Sequence, residues 1–237
     1  MEVIPLGDCA LIVRVRERFD DAPVEALNAV LQVRRRLEEA RLPGVIETAP
    51  AYTTVALFYD AIQVFAAGGK GESPFDWLAH RIQEIVANAE EIPGYQIETR
   101  MMEVPVCYES EFAPDLDDVA RHTRLTAREI VHLHSGTEYR VNCLGFTPGF
   151  PFLSGLPKEL ATPRRAVPRK EIPAGAVAIG GAQTGIYPMK SPGGWNVIGR
   201  TPLRLFDSAK DPPVLLCAGD RVRFRMITRP EFEALKR

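Results

Sequence analysis

Glycine and proline are concentrated in residues 144–202, and this constrains the fold more than any other feature of the sequence. The segment holds 19 of the chain's 38 glycines and prolines, in about a quarter of its 237 residues. Proline lacks the backbone N–H that a helix interior needs, and glycine weakens regular structure. Because valine, isoleucine, phenylalanine and tryptophan are interleaved with them, we predict short strands joined by tight turns and shaped loops.

Short runs of strand-forming residues continue through the C-terminal part of the chain. The candidates are Tyr139–Gly145, Ala176–Gly180, Trp195–Gly199, Leu203–Phe206, Val214–Cys217 and Arg221–Ile227. This many short strands with turns between them predicts a closed or nearly closed β-barrel.

A pair of short helices is predicted ahead of the barrel, over residues 115–135, with a capping box at Thr126–Glu129. The pair has the layout of a DNA-reading helix-turn-helix. Its first helix opens with Asp115, Asp117 and Asp118, which would face a polyanion. We therefore expect a structural hairpin packed on the barrel and no nucleic-acid partner.

The N-terminal part of the chain has a different composition and pattern. Residues 1–103 hold 10 basic and 17 acidic side chains, whereas residues 104–237 hold 19 and 14. Helical spacing is found over residues 23–40 and from Ser73 onwards, and strands are predicted before, between and after these helices, the last over residues 95–106. The resulting order is β-α-β(β)-α-β. This order predicts an α+β domain at 1–103 of the ferredoxin-like split βαβ type, followed by a mostly-β domain at 104–237.

The sequence shows no sign of export, membrane insertion or a metal site. No window approaches 18 uncharged apolar residues, and the N-terminus does not resemble a secretory signal, so a cytoplasmic location is expected. The four cysteines form no CxxC pair. His132 and His134 are two apart, so on a helix they point to different sides and make no natural metal site.

Few residues in or near the glycine-rich region suit acid–base chemistry, and no GxSxG nucleophile motif is present. The weak catalytic candidates are His134, Glu138 and Glu171.

Cationic and hydrogen-bonding residues are frequent in the same region. Guanidinium groups and free backbone N–H groups bind oxyanions, so the region could hold a carboxylate or phosphate. The candidate residues for binding such a group are Arg140, Arg164, Arg165, Gln183, Tyr187, Ser191, Gly193, Gly194, Trp195 and Arg200. Spacing alone is equally compatible with a barrel that has tight corners and a solvated basic face.

Three stretches, GFTPGFPFL, AIGGAQTGIYP and SPGGWNVIGRTP, resemble the family of 5-oxoprolinase B subunits. The same family carries the names allophanate hydrolase subunit 1 and Kip-type sensor kinase inhibitor. The resemblance implies a C-terminal cyclophilin-like barrel and, as partner, a homologous barrel protein of the 5-oxoprolinase C type, with a third protein of the A type needed for full activity. It also implies ATP-dependent opening of 5-oxo-L-proline to L-glutamate, with Mg expected alongside ATP.

The resemblance leaves two other functions to weigh. Phe146, Pro148 and Phe150 are the predicted partner-interface residues, and in a regulatory protein the same loop would be an exposed apolar patch that binds a sensor histidine kinase. Prolyl isomerisation rests on barrel analogy only and ranks last.

Overall fold

The chain divides into two compact units, Met1–Glu98 and Thr99–Arg237. The computed structural model describes residues 1–68, 71–87 and 99–236. The division predicted between residues 103 and 104 falls inside a strand, Met101–Cys107, that pairs along its whole length with Arg221–Ile227. Because these backbone hydrogen bonds tie residues 101–103 to the C-terminal unit, that unit begins at Thr99.

The first unit is a four-stranded antiparallel sheet with helices packed on one face. Its elements are β1 (Glu2–Pro5), β2 (Ala10–Arg14), α1 (Pro23–Glu39), β3 (Val45–Ala51), β4 (Thr54–Tyr59), α2 (Ala61–Ala67) and α3 (Pro74–Ala87). Alternation along β2 and β4 turns Leu11, Val13 and Leu57 towards the helices, where they meet residues such as Val30 and Ile82 in one buried cluster.

The strand order of this sheet is β1-β2-β4-β3, and the ferredoxin-like arrangement is not confirmed. In a split βαβ fold, a strand that follows the second long helix would lie beside β2. Here β1 pairs with β2 and takes that edge. Of the predicted strand 95–106, residues 101–106 lie in the barrel, and residues 95–98 lie outside the described part of the chain.

The second unit contains the remaining elements. They are β5 (Met101–Cys107), α4 (Leu116–Thr123), α5 (Ala127–Gly136), β6 (Glu138–Leu144), β7 (Pro151–Ser154), a 3₁₀ turn (Lys158–Leu160), β8 (Arg169–Ile172), β9 (Ala176–Gly180), β10 (Gln183–Ile186), β11 (Ser191–Gly193), β12 (Asn196–Arg200), β13 (Arg221–Ile227) and α6 (Arg229–Leu235).

Seven of these strands close into a barrel in the order β10-β7-β6-β13-β5-β12-β9, which confirms the predicted barrel. All its pairs are antiparallel except β13 with β5. The interior is filled by alternate residues such as Val106, Tyr139, Ile179 and Phe224. Strands β8 and β11 form a separate two-stranded sheet.

Two of the predicted strands are wrong. Leu203–Phe206 and Val214–Cys217 meet only through an isolated bridge between Phe206 and Val214. Pro202 precedes the first stretch, and Pro212 and Pro213 precede the second, so a ladder cannot extend past the N-terminal end of either stretch.

The predicted helical hairpin is present as α4 and α5. The Thr126 side chain accepts a hydrogen bond from the Glu129 N–H, and the Glu129 carboxylate accepts one from the Thr126 N–H, so the capping box is confirmed. None of the helices described is both long enough and apolar enough to span a bilayer.

Candidate functional site

An aromatic layer covers the outer face of the barrel at β9 and β10. We define it as Phe146, Phe150, Phe152, Tyr187 and Trp195. Since Val177 and Ile179 fill the barrel interior, Ala176 and Ala178 point outwards, and they belong to the same buried cluster as Phe150, Tyr187 and Trp195. The Phe150 ring meets both Tyr187 and Trp195 edge to face, with centroids 5.1 and 5.5 Å apart. The layer is close-packed, so Tyr187 and Trp195 present little surface to a ligand.

Two glycines make this packing possible. A Cβ atom at Gly180 would lie 2.5 Å from the Trp195 ring, and one at Gly193 would lie 2.3 Å from the Tyr187 hydroxyl. At these two positions the absence of a Cβ atom therefore makes room for the protein's own aromatic side chains.

The loop Gly145–Gly149 brings one aromatic ring of the layer to the surface. Phe146 has a φ of +66° and is 62% exposed, while its ring stays edge-on to Phe150 and Tyr187. A bulky residue in the left-handed region is strained, and such strain is concentrated at functional sites. Of the three predicted interface residues, Phe146 and Pro148 are exposed and Phe150 is buried.

Asp115 ties a second loop, residues 161–168, to the same face. Its carboxylate accepts hydrogen bonds from Arg165 Nη1 at 2.5 Å, from Arg169 Nη1 and Nη2 at 2.6 and 2.7 Å, and from the Val197 N–H at 2.7 Å. The carboxylate raises the pKa of Arg169, chiefly through these hydrogen bonds. Although Asp115 begins α4 as predicted, its side chain makes no capping bond, because it is used in this contact.

The loop held by Asp115 places Arg164 beside the aromatic layer. The Arg164 guanidinium lies 5.8 Å from the Trp195 ring centroid, and Arg165 N–H donates to the Gly194 carbonyl at 2.7 Å. Arg165 is neutralised by Asp115, whereas no carboxylate among the described residues pairs with Arg164. Val167, in the same loop, is 76% exposed.

Three further predicted residues lie near the layer. Ser191 pairs with Ile172 between β11 and β8, and its hydroxyl is buried; Gln183 opens β10 opposite Gly180; and Gly194 follows β11. The structure therefore groups Arg164, Arg165, Gln183, Tyr187, Ser191, Gly193, Gly194 and Trp195 on one side of the barrel.

Arg140 and Arg200 lie elsewhere. Arg140 is on β6, opposite Arg221 of β13. Arg200 closes β12 at the end remote from Trp195, and its Nε donates to the Ala174 carbonyl at 2.9 Å. It lines a separate cleft.

The three catalytic candidates are all engaged in contacts. Glu138 accepts two hydrogen bonds of 2.6 Å from Arg221, which lower the pKa of its carboxyl group. Glu171 pairs with Lys190 at 2.7 Å on the surface. His134 is fully buried in the barrel between Tyr108 and Thr184, and burial lowers its pKa to about 3. His134 therefore faces no solvent-accessible site.

No group of three histidine, cysteine or carboxylate side chains in residues 1–68, 71–87 and 99–236 could hold a metal ion. Magnesium that accompanies a nucleotide is held mostly by phosphate oxygens and water with one or two carboxylates, so it does not require such a group.

Two features of the site are not evident from the sequence: the ion pairs of the Asp115 carboxylate and the left-handed backbone conformation of Phe146. The partners of Asp115 are 50 and 54 residues away in sequence, so no local pattern reveals them. The left-handed conformation of Phe146 follows from packing, and its neighbours Gly145 and Thr147 give no signal for it.

Comparison with known proteins identifies close relatives of the chain. Residues 1–216 match the family described as carboxyltransferase domain, subdomain C and D. The chain is 42% identical to the 5-oxoprolinase B subunit of Bacillus subtilis, over 99% of this chain and 96% of the relative. It is 43% identical to the 5-oxoprolinase B subunit of Escherichia coli O157:H7, over 77% of this chain and 78% of the relative.

The crystal structure of TTHA0988 resembles the chain with a TM-score of 0.76 and 35% identity. The match covers 93% of this chain but only 40% of TTHA0988, so the chain spans about two fifths of that protein. In TTHA0988 this fold is therefore joined to a larger stretch of further polypeptide.

Proposed function

The chain belongs to the family of 5-oxoprolinase B subunits, and on this premise we propose that it is one subunit of an enzyme that opens 5-oxo-L-proline to L-glutamate with hydrolysis of ATP. The observation that supports the proposal most strongly is the 42% identity to a protein of that name over 99% of the chain.

The proposed reaction must overcome the resonance stabilisation of a lactam. Transfer of the γ-phosphoryl group of ATP to the ring carbonyl oxygen would make the carbonyl carbon electrophilic. Water then adds to that carbon, and the ring C–N bond breaks with the nitrogen taking a proton, which leaves an acyl phosphate. A second water hydrolyses this acyl phosphate to the carboxylate of glutamate and free phosphate. Such a site works by placing donors where negative charge develops on the phosphoryl and carbonyl oxygens.

We place on this chain only part of that site. His134 is enclosed in the barrel, while Glu138 and Glu171 are held by Arg221 and Lys190. A general base would then come from a partner protein. The contribution of this chain is the cation of Arg164, positioned over Trp195 by the contacts of Asp115 with the neighbouring arginines. The proposal assigns no magnesium ligand to this chain.

The proposed partner is a homologous barrel protein, and a third protein completes the activity. We propose that the exposed rings of Phe146 and Pro148, with Val167 beside Arg164, form the surface that meets the partner barrel. Exposed apolar groups rimmed by charge are typical of such contacts. The extra polypeptide joined to this fold in TTHA0988 supports an assembly of this kind.

Reconstitution tests the proposal. The proteins are purified separately, and ADP release is measured with and without 5-oxo-L-proline for each one alone and for the mixture. We expect 5-oxoproline-dependent ADP release and glutamate formation from the mixture only. Full turnover by this chain alone would contradict the shared site, and an inactive mixture of folded proteins would contradict the function.

The regulatory alternative has its own assay. The chain alone is added to a sensor histidine kinase, and autophosphorylation is followed. On the enzymatic proposal autophosphorylation is unchanged; its loss, together with an inactive reconstituted mixture, would favour the regulatory function.

A further inference from the structure

A basic cleft lies at the end of β12 remote from Trp195, and the proposed function does not use it. The cleft has a volume of about 440 Å³ and is lined by residues 174–175, 188–190 and 200–204, together with Phe206, Phe232 and Lys236. This volume is within the range of small-molecule sites.

The charges that line the cleft are all of one sign. Its charged residues are Lys190, Arg200, Arg204 and Lys236, and no acidic side chain of the described residues lines it. Four like charges around one cavity repel each other, so their convergence favours an anion of high charge between them.

Three of the four cations have carboxylate partners that lie outside the lining. Lys190 pairs with Glu171 at 2.7 Å, Arg204 with Asp207 at 3.3 Å, and Lys236 with Glu233 at 3.9 Å. These pairs are exposed on the lysine or arginine side, and exposed pairs are weak enough for the cation to turn towards a ligand.

Arg200 differs from the other three. No carboxylate among the described residues pairs with it, and its Nε donates to the Ala174 carbonyl at 2.9 Å. This bond orients the guanidinium group and leaves the two Nη atoms as the donors that bind an oxyanion in a bidentate manner.

The wall around Arg200 is rigid. Gly175 has a φ of +82°, and a Cβ atom there would lie 2.3 Å from the Thr201 carbonyl oxygen. Its N–H donates to the Tyr187 carbonyl at 2.7 Å, and its carbonyl accepts from the Thr201 N–H at 2.9 Å. Donors held in place bind a ligand without the cost of ordering them.

We propose that the basic cleft binds a polyvalent phosphate, either free pyrophosphate or the phosphate tail of a nucleotide. A phosphate chain carries enough negative charge and enough oxygens to engage several of the four cations at once, whereas a single carboxylate would engage only one or two of them. Arg200 is the main contact, and the lysines on the rim add charge.

Calorimetric titration of the full chain with pyrophosphate, ADP and adenosine at low salt tests the proposal. Pyrophosphate and ADP should bind, and adenosine should not. ADP binding about as tight as pyrophosphate indicates the phosphate alone as ligand, whereas ADP binding about tenfold tighter or more indicates a nucleotide, and either result supports the site. Absence of pyrophosphate and ADP binding at millimolar concentration would overturn it.

Variants locate the binding. Arg200→Ala should weaken pyrophosphate binding by about tenfold or more, since it removes the bidentate donor. Arg223→Ala removes the same charge from β13, where Arg223 lies 3.9 Å from Glu138, and should change the affinity by less than about twofold. Equal effects of the two variants would show non-specific attraction and would refute the proposal.

If Arg200→Ala does not fold, Lys190→Gln and Lys236→Gln provide the test, because both residues are exposed. Each should weaken pyrophosphate binding by about threefold, as expected for a rim charge near a polyvalent anion. Unchanged affinity in both would refute the assignment. Reconstituted 5-oxoprolinase activity is a separate measurement, so failure of either proposal leaves the other standing.

Discussion

The His134 Nε2 atom and the Thr184 Oγ1 atom lie 3.0 Å apart inside the barrel, across 50 residues of sequence. The Thr184 hydroxyl donates its proton to the Ala178 carbonyl at 3.0 Å, so it must accept the proton of His134 Nε2. His134 Nδ1, 2.8 Å from the Tyr108 hydroxyl, is then the acceptor of the tyrosine proton. The contacts therefore specify one neutral tautomer, and α5 is joined through it to β10 and to the residue that follows β5.

This neutral histidine makes the stability of the protein sensitive to acid. Burial lowers the pKa of His134 to about 3, whereas an unfolded histidine has a pKa of about 6.5. Between these values the unfolded chain binds the extra proton, so the free energy of unfolding falls as the pH falls below about 6.5, by up to about 1.4 kcal/mol per unit. Urea titrations at pH 7, 6 and 5 measure the slope.

Two variants separate His134 from the other titrating groups. His134→Gln removes the buried imidazole, so its unfolding free energy should depend less on pH than that of the wild type. His122 is exposed on α4, and His122→Gln should keep the wild-type dependence. Equal slopes for wild type and His134→Gln would show that the buried imidazole does not cause the acid sensitivity.

Adjacent glycines of the SPGGW motif should respond differently to the same substitution. A Cβ atom at Gly193 would lie 2.3 Å from Tyr187 Oη and 2.8 Å from Ile172 Cδ1, whereas one at Gly194 would meet nothing closer than Pro168 at 3.7 Å. Gly193→Ala should therefore destabilise the chain by about 1–3 kcal/mol, the usual cost of overpacking. Gly194→Ala is the matched control and should change stability by less than about 0.5 kcal/mol.

Chemical denaturation of the two glycine variants measures this difference. The double variant Gly193→Ala with Tyr187→Phe tests its cause, because removal of the hydroxyl oxygen should recover part of the loss. Equal stability of Gly193→Ala and Gly194→Ala would contradict the close packing of the aromatic layer.

The sequence predicts features set by near neighbours better than features set by distant ones. The capping box at Thr126 and Glu129 spans three residues, and the strand Ala176–Gly180 is marked by its own composition, so both are predicted correctly. Arg200 and Trp195 are only five residues apart, but β12 runs between them and carries them to opposite ends of the strand. The sequence alone does not show this separation.

The aromatic residues illustrate the same limit. Rigid aromatic side chains in a glycine-rich region are equally compatible with a ligand cleft and with a packed layer. Only the contacts of Tyr187 and Trp195 with Phe150 distinguish the two, and these depend on the pairing of β10 with β7 and of β9 with β12. Beside these packed rings, Phe146 and Arg164 remain exposed.

The buried carboxylate of Asp115 should be essential for the stability of the second unit. Asp115→Asn removes the charge that two arginines share, and loss of one partner from a buried ion pair costs about 3–5 kcal/mol. Asp117, two residues later, is exposed and has no ion pair within the described ranges, so Asp117→Asn should cost less than about 0.5 kcal/mol. Urea denaturation compares the two, and a loss below about 1 kcal/mol for Asp115→Asn would show that this ion pair is not needed for stability.

Phe146 should matter more for assembly than for the stability of the isolated chain. Asparagine tolerates the left-handed backbone at φ +66°, so Phe146→Asn relieves strain of about 1–3 kcal/mol while it loses the edge contacts with Phe150 and Tyr187. These effects oppose each other, and the free energy of unfolding should change by less than about 1 kcal/mol. If the ring fits a pocket of the partner barrel, the same variant should weaken association by about tenfold or more, as loss of an interface aromatic does.

Association of the purified proteins, followed by analytical ultracentrifugation, measures the effect of Phe146→Asn. Phe65 on α2 is 61% exposed, nearly as much as Phe146, and Phe65→Ala serves as the control that removes an exposed ring elsewhere. Its affinity for the partner should equal that of the wild type. Phe146→Asn chains that bind the partner as tightly as the wild type would place the interface on another surface, and the strain at residue 146 would then need a different explanation.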